Sequence, residues 1–288
     1  MYQKLSFRAQ RDIIRTIPRF LNFHRNETPR DRLDAYVASS LATSSTVSST
    51  SGEFLFEMVG VFLGCTYPTP PRILHHVEEV VKAYLVREMF GPIASDRDFS
   101  LFTTEGETAA MAYIFHSLQV NGLIHPGDKM ATATPIFSPY LEIPVLAEYG
   151  LEIIDIRMDR TADWQLPQSE MDELLDPSIK VFCIVNPSNP PSSKLSAAVL
   201  DQLTELVTTR RPDLMIVTDD VYGTFADDFV SLFAVLPRNT LPVYSFSKFF
   251  GATGWRLGAI ALHTSNIIDE RLAAQPARKF GCARATRR

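Results

Sequence analysis

Cysteine, long apolar runs and like-charge blocks are all scarce in this 288-residue sequence, and each scarcity excludes a class of protein. The three cysteines, Cys65, Cys183 and Cys282, show no metal-ligand spacing, and so few are typical of a reducing compartment. The apolar runs are too short to span a bilayer, and Met1 to Lys4 are not followed by the apolar segment of a signal peptide. We therefore expect a cytoplasmic protein with neither a metal site nor a membrane partner.

The charge balance argues against nucleic acid as a partner. The formal net charge is -5, and the only basic cluster is the short end at residues 284–288. The sequence contains no internal repeat, and no Gly-x-Gly-x-x-Gly motif follows its first strand, which disfavours the alternative of a nicotinamide-binding protein. With 45% hydrophobic and 21% charged residues, the composition is that of a globular protein.

From residue 101 onward, apolar strands alternate with helical segments. Strands are predicted at residues 101–104, 129–134, 151–156, 181–185, 214–218 and 241–246, and helices at 109–118, 139–149, 171–175 and 197–209. Such alternation predicts an α/β fold, a three-layer α/β/α arrangement around a mostly parallel sheet.

The first part of the chain has a different character. Residues 38–52 are rich in Ser and Thr, residues 54–64 are predicted to form a core helix, and residues 73–89 have helical spacing. The predicted apolar face of that last helix consists of Ile73, Val77, Val80, Val81, Tyr84 and Leu85. We divide the chain into an N-terminal segment at 1–72, a large domain at 73–265 and an aberrant or truncated tail at 266–288.

Lys248 is the most informative residue of the sequence. It follows an apolar run that reads as a buried strand, where a strongly hydrated ammonium group does not belong without a partner. Burial would lower the pKa of such a lysine and make it a nucleophile toward an aldehyde cofactor. The small residues before it and the glycines after it leave room for a flat ring with a phosphate group.

Other polar residues also follow predicted strands, at the edge where open α/β sheets bind ligands. Asp219 ends the strand at 214–218 and could keep a pyridine nitrogen protonated, although a helix N-cap is an equal alternative. Tyr222, three residues later, could donate to an oxygen on the ring or be a half-buried core tyrosine. Asn189, in a loop with two Asn-Pro pairs, could reach the same oxygen, and Phe137 could stack on the ring or belong to the core.

A phosphate site is predicted from two further segments. Gly106, Glu107 and Thr108 open a helix whose backbone N–H groups can bind an anion, but Glu107 and its neighbour Glu105 have the wrong charge unless they point away. The Arg256 guanidinium suits a bidentate grip on phosphate, although it could be a surface residue. The two remaining candidates are the hydroxyls of Ser245 and Ser247.

In their order along the chain, these residues resemble class I/II aminotransferases, which are fold-type I pyridoxal 5'-phosphate enzymes. The resemblance covers residues 100–262 and implies pyridoxal 5'-phosphate as the cofactor. It also implies a role for each matched position. Residues 106–108 would form the phosphate cup, Phe137 the ring stack, Asn189 and Tyr222 the ligands of the ring 3-oxygen, Asp219 the partner of the ring nitrogen, Lys248 the imine-forming lysine and Arg256 the phosphate arginine.

A closer resemblance is to the bacterial aspartate 4-decarboxylases, carried by residues 64–72, 105–115, 185–191, 218–226 and 244–257. It implies conversion of L-aspartate to L-alanine and CO2, and a homo-oligomer. Glu107 departs from the family, which has glycine at this position. The tail at 277–288 lacks helical periodicity and resemblance, so we expect a truncated chain with an incomplete small domain, and we assign no arginine to the substrate carboxylates.

Two alternatives remain open. The first is an aminotransferase acting on aspartate or another amino acid, since the same residues would serve both reactions. In either reaction Lys248 would act as the general base at the substrate Cα. The second alternative is an inactive fragment that at most binds the cofactor.

Overall fold

The computed structural model describes residues 75–91 and 98–275, whose core is a seven-stranded sheet. Its strands are β1 Phe99–Thr104, β2 Lys129–Thr134, β3 Glu152–Arg157, β4 Ile179–Val185, β5 Met215–Asp219, β6 Thr240–Ser245 and β7 Gly258–His263. The strand order is β1-β7-β6-β5-β4-β2-β3. Only β7 runs antiparallel to its neighbours, β1 and β6. The predicted α/β fold with a mostly parallel sheet is thereby confirmed.

Helices cover both faces of this sheet. The α-helices are α1 His75–Leu85, α2 Glu107–Val120, α3 Pro139–Glu142, α4 Gln168–Met171, α5 Ala197–Arg210, α6 Leu232–Val235 and α7 Ile267–Ala274. A π-helical turn, Val86–Phe90, extends α1, and short 3-10 turns lie at Arg160–Ala162, Asp172–Leu175, Gly223–Phe225 and Thr253–Trp255. None of the helices described is long and apolar enough to cross a membrane.

The two faces are distinguished by the alternation of side chains along each strand. Val181, Cys183 and Val185 of β4 pack with α2 and α7, whereas Phe182 and Ile184 pack with α4, α5 and α6. This period of two is what an extended strand buried on both sides requires. It also decides which side of the sheet receives each polar residue at a strand end.

Two of the predicted helices differ from the structure. The segment predicted as helix at 139–149 is helical only over Pro139–Glu142, since Pro144 has no N–H with which to continue the helix. In α1, Val77 and Val80 are 46% and 69% exposed, so the predicted apolar face is wrong there. The π-helical turn rotates the chain so that Met89 and Phe90 face the core.

Two elements near the end of the described chain had no counterpart in the sequence prediction. β7 forms between β1 and β6, and α7 follows it, with Asn266 accepting a hydrogen bond from the Asp269 N–H as the helix N-cap. Ile267 is buried in the α2-side core. The ordered layers thus continue beyond residue 265, where we placed a domain boundary. Ile73 and the predicted helix at 54–64 lie outside the described residues.

Candidate active site

One edge of the sheet brings the predicted polar residues together. β1, β2, β3, β4, β5 and β6 all end at this edge, and β7 begins there, with Gly258 paired to both Thr104 and Ser245. The loops after β1, β2, β4, β5 and β6 therefore leave the sheet side by side. Parallel α/β sheets bind ligands at this kind of edge.

Asp219 is the buried acid of this edge. It is the last residue of β5 and is 1% exposed, and its carboxylate accepts a hydrogen bond from the Val221 N–H at 3.0 Å. Burial raises the pKa of Asp219, while hydrogen bonds with Glu107, Val221 and Tyr140 and the charge of Lys248 oppose that rise. A buried carboxyl surrounded by titratable groups is typical of a functional site rather than of a helix cap.

Glu107, the first residue of α2, turns its side chain toward Asp219. The pKa of the Glu107 carboxyl is raised to about 9, chiefly by burial and then by the charge and hydrogen bond of Asp219, while the charges of Lys248 and Arg256 oppose the rise. Glu105 behaves differently, because it accepts a hydrogen bond from the Tyr113 hydroxyl at the surface, at 2.8 Å. Only one of the two glutamates of this loop therefore points into the site.

Tyr140, on α3, is a site residue that the sequence analysis did not identify. It is 0% exposed, and burial followed by the charges of Asp219 and Glu107 raises the pKa of its hydroxyl well above the usual value. Among the described residues, neither Tyr140 Oη nor Glu107 Oε1 has a hydrogen-bond partner of ordinary geometry, and both are buried. The signal in the sequence was its place in the segment after β2, close to Phe137.

Lys248 lies three residues beyond the end of β6, in a turn closed by a 3.0 Å hydrogen bond from the Gly251 N–H to the Lys248 carbonyl. Its side chain is exposed, so the predicted burial of this lysine is wrong. The reason is that the strand ends at Ser245, and the chain has left the sheet before it reaches Lys248. The ammonium group still acts electrostatically on both Asp219 and Glu107, which places it at the same site.

The proposed phosphate residues also meet. Gly106 has φ +95°, and a Cβ built there would lie 2.5 Å from an Arg256 guanidinium nitrogen. A Cβ at Gly258 would lie 3.0 Å from Gly106 Cα, so both glycines permit a close approach of the two loops. Arg256 is exposed and donates to the Thr253 carbonyl at 3.0 Å, and Thr108 is exposed in the first turn of α2.

The two serines before Lys248 are buried and linked to each other. The Ser245 hydroxyl donates to Ser247 Oγ at 2.9 Å, and the Ser247 N–H donates to Ser245 Oγ at 3.2 Å. These bonds close the turn that carries Lys248. The serines thus position the lysine, and the structure leaves their predicted contact with phosphate untested.

Asn189 and Tyr222, which follow β4 and β5, are in contact. The Asn189 amide nitrogen lies 3.4 Å from the Tyr222 hydroxyl, and both side chains are half-buried. Phe137 lies in the loop between β2 and α3 and is 37% exposed. These positions put all three residues at the expected edge, while their contacts with a ring stay predictions.

The residues present fit an aldehyde cofactor with a phosphate group and a basic ring nitrogen that can hold a proton. Asp219 can hold the nitrogen, the arginine and backbone N–H groups at the start of α2 suit the phosphate, and Lys248 is the amine. The buried Tyr140 hydroxyl, on which the charges of Asp219 and Glu107 act, is a further polar group of the site. Within the part of the chain that the structure describes, no group of His, Cys, Asp or Glu could hold a metal ion.

Relatives of known name include two proteins whose names contain aspartate aminotransferase. A bifunctional aspartate aminotransferase and L-aspartate beta-decarboxylase from a Pseudomonas species is 55% identical over 77% of this chain and 42% of that protein. A bifunctional aspartate aminotransferase and glutamate/aspartate-prephenate aminotransferase from Petunia hybrida is 33% identical over 47% of this chain and 29% of that protein. The chain therefore spans less than half the length of either relative.

Solved structures share the fold at low sequence identity. An alanine aminotransferase from Pyrococcus furiosus is 21% identical with a TM-score of 0.58, over 68% of this chain and 48% of that chain. A double mutant of the Thermus thermophilus aspartate aminotransferase is 17% identical with a TM-score of 0.58, over 94% and 65%. The family described as aminotransferase class I and II matches residues 69–278, and the chain belongs to this family.

Proposed function

We propose that this site binds pyridoxal 5'-phosphate and serves in the conversion of L-aspartate to L-alanine and CO2, with transamination of aspartate as a second activity. The observation that carries the proposal is the buried Asp219 carboxyl at the carboxyl edge of the sheet, on which the Lys248 ammonium acts, with Arg256 against Gly106 in the neighbouring loop. The 55% identity to a protein named for both activities supports the choice of substrate.

Each residue has a task in this proposal. Asp219 holds a proton on the ring nitrogen, and Asn189 and Tyr222, already 3.4 Å apart, bind the ring oxygen. Arg256 and the start of α2 bind the phosphate, and Phe137 covers the ring. When bound, the cofactor withdraws electrons from the substrate carbons.

Lys248 is proposed to carry the cofactor and to move protons. Its exposed position three residues past β6 leaves the amine free to reach an aldehyde and then the substrate Cα. Loss of the β-carboxylate as CO2 leaves a carbanion equivalent at Cβ, which takes up one proton to give the methyl group of alanine. Transamination of aspartate would use the same residues, with Lys248 moving the proton of the substrate Cα.

The test is covalent trapping at Lys248. Pyridoxal 5'-phosphate is added to the chain, the mixture is reduced with borohydride, and peptides are examined by mass spectrometry. We expect the added mass on Lys248 and its loss in Lys248→Ala, with the exposed Lys194 as a control that stays unmodified at stoichiometric cofactor. Labelling spread equally over surface lysines would contradict the cofactor assignment.

The two activities are separated by their products. Aspartate alone should yield CO2 and alanine, whereas aspartate with 2-oxoglutarate should yield amino transfer. If Lys248 is labelled but neither product forms, the cofactor assignment stands and the proposed reaction is contradicted. We also propose that the chain assembles with a second copy of itself, because the family resemblance implies an oligomer.

A further inference from the structure

Glu107 combines a position that favours a negative charge with surroundings that oppose it. As the first residue of α2 it lies at the positive end of the helix dipole, where an ionised side chain is ordinarily stabilised. Its side chain instead points toward the buried Asp219, and Oε1 is buried without a partner among the described residues. Two carboxylates in such a place cannot both ionise without a large cost.

The groups around Glu107 come from four parts of the fold. Asp219 lies on β5, Tyr140 on α3, and Lys248 and Arg256 on the loop between β6 and β7. Cys183, on β4, is close enough to Tyr140 to contribute to the raised pKa of its hydroxyl. Two carboxyl groups and two basic side chains therefore meet in one space, where one proton decides the net charge.

Asp219 has the better means to stay ionised. It accepts the Val221 N–H at 3.0 Å, and the nearby Tyr140, Glu107 and Lys248 side chains lower its pKa against the effect of burial. Burial and the Asp219 charge raise the pKa of Glu107 to about 9. A proton held on Glu107 can be donated to Asp219, whose other neighbours favour its ionised form.

We propose that Glu107 and Asp219 share one proton, and that this proton makes the binding of pyridoxal 5'-phosphate depend on pH, becoming weaker as the proton is lost. With the proton present, Glu107 is neutral beside the phosphate end of the site and leaves Asp219 as the anion for the ring nitrogen. Once the proton is lost, Glu107 carries a negative charge at the helix start where the phosphate is expected. The inference rests on the proposed function and makes Glu107 a positioning residue.

The test compares cofactor affinity in matched variants across pH. Dissociation constants for pyridoxal 5'-phosphate are measured by absorbance titration between pH 7 and pH 10 for the full chain, Glu107→Gln and Glu105→Gln. Comparing variants cancels the effects of pH on binding that do not involve Glu107. We expect the wild-type constant to rise about tenfold relative to Glu107→Gln over this range, because binding must take up one proton, and Glu105→Gln to follow the wild type.

A second measurement needs no cofactor. The native pKa of Glu107 lies above its unfolded value, so the native state holds a proton that the unfolded state has released. The unfolding free energy should therefore fall as pH rises from about 4.5 to about 9, and this fall should be smaller in Glu107→Gln. Glu107→Ala makes the same comparison if the glutamine variant folds poorly.

The outcomes separate the inference from the proposed function. Equal pH dependence of cofactor binding in the wild type and in Glu107→Gln overturns the inference alone, since the cofactor still binds. Equal changes of the pH dependence in Glu105→Gln and Glu107→Gln would also overturn the inference, because the effect would then come from the total charge of the loop. Absence of cofactor binding in every variant overturns both.

Discussion

Asp219 and Asp220 are neighbours at the end of β5, both are buried, and the pKa of each is raised chiefly by burial. They differ in what they face. Asp219 shares the side of the sheet with α2 and meets titratable groups, whereas Asp220 faces the opposite side and meets two hydroxyls. The alternation of side chains along an extended chain separates them.

The partners of Asp220 are those of a structural group. Its carboxylate accepts the Thr218 hydroxyl at 2.8 Å and the Ser231 hydroxyl at 2.5 Å, and Ser231 in turn caps α6 by accepting the Phe233 N–H. Both of its hydrogen-bond partners are neutral hydroxyls, which is typical of a carboxyl group that holds the chain in place. Burial of an acid therefore does not by itself identify an active site, and the chemistry of the neighbours decides.

The largest expected difference is in turnover. Asp219→Asn keeps the size of the side chain but removes the charge that we propose holds a proton on the ring nitrogen. Under the proposed function, aspartate turnover should fall about 10²–10³-fold while Lys248 still takes up the cofactor. Asp220→Asn should leave turnover per folded molecule within a few fold. Equal losses in kcat/KM for the two variants would remove the functional distinction between the neighbours.

The sequence was sufficient for much of this arrangement. Buried strands such as Val181–Val185 within β4 read as continuous apolar runs, and polar residues directly after them identify the binding edge. β7 was missed because Gly258, Ala259 and Ala261 are weak strand formers, and the strand forms only between two existing neighbours.

Side-chain directions at the site could not be predicted in the same way. The exposure of Lys248 depends on where β6 ends, and the inward turn of Glu107 depends on Asp219 and Tyr140, which are distant in sequence. A charge pattern that looked unsuitable for phosphate, Glu105 with Glu107, separates in the structure into one surface acid and one site acid. Such separation is a tertiary effect that local sequence does not contain.

A medium effect is expected in the pH dependence of stability. The pKa of Asp220 is raised to about 7 in the native protein, above its value in the unfolded chain, so the native state retains a proton between about pH 4 and pH 7. The contribution of Asp220 to the unfolding free energy should therefore fall as pH rises through this window, by up to about 4 kcal/mol, and level off above it.

Asp220→Asn isolates that contribution. Urea unfolding at one-unit steps from pH 4 to pH 8 gives the difference between wild type and variant, from which the shared contributions of Asp219 and Glu107 cancel. The difference should shift in favour of the variant as pH rises to about 7. A difference that is the same at every pH would mean that Asp220 has no raised pKa in the native state.

The smallest effect is expected at Tyr140. Its buried hydroxyl has no partner of ordinary geometry among the described residues, so Tyr140→Phe removes a poorly satisfied group and should change the unfolding free energy by less than about 1 kcal/mol. Tyr244 is the matched control, because its buried hydroxyl bonds Tyr84 at 2.8 Å and Thr224 at 3.0 Å. Tyr244→Phe should cost about 1–2 kcal/mol. Urea unfolding at neutral pH measures both costs. Equal costs for the two variants would mean that Tyr140 makes a full hydrogen bond to Asp219. The buried polar groups on the Asp219 side of the sheet would then be as fully hydrogen-bonded as those on the Asp220 side.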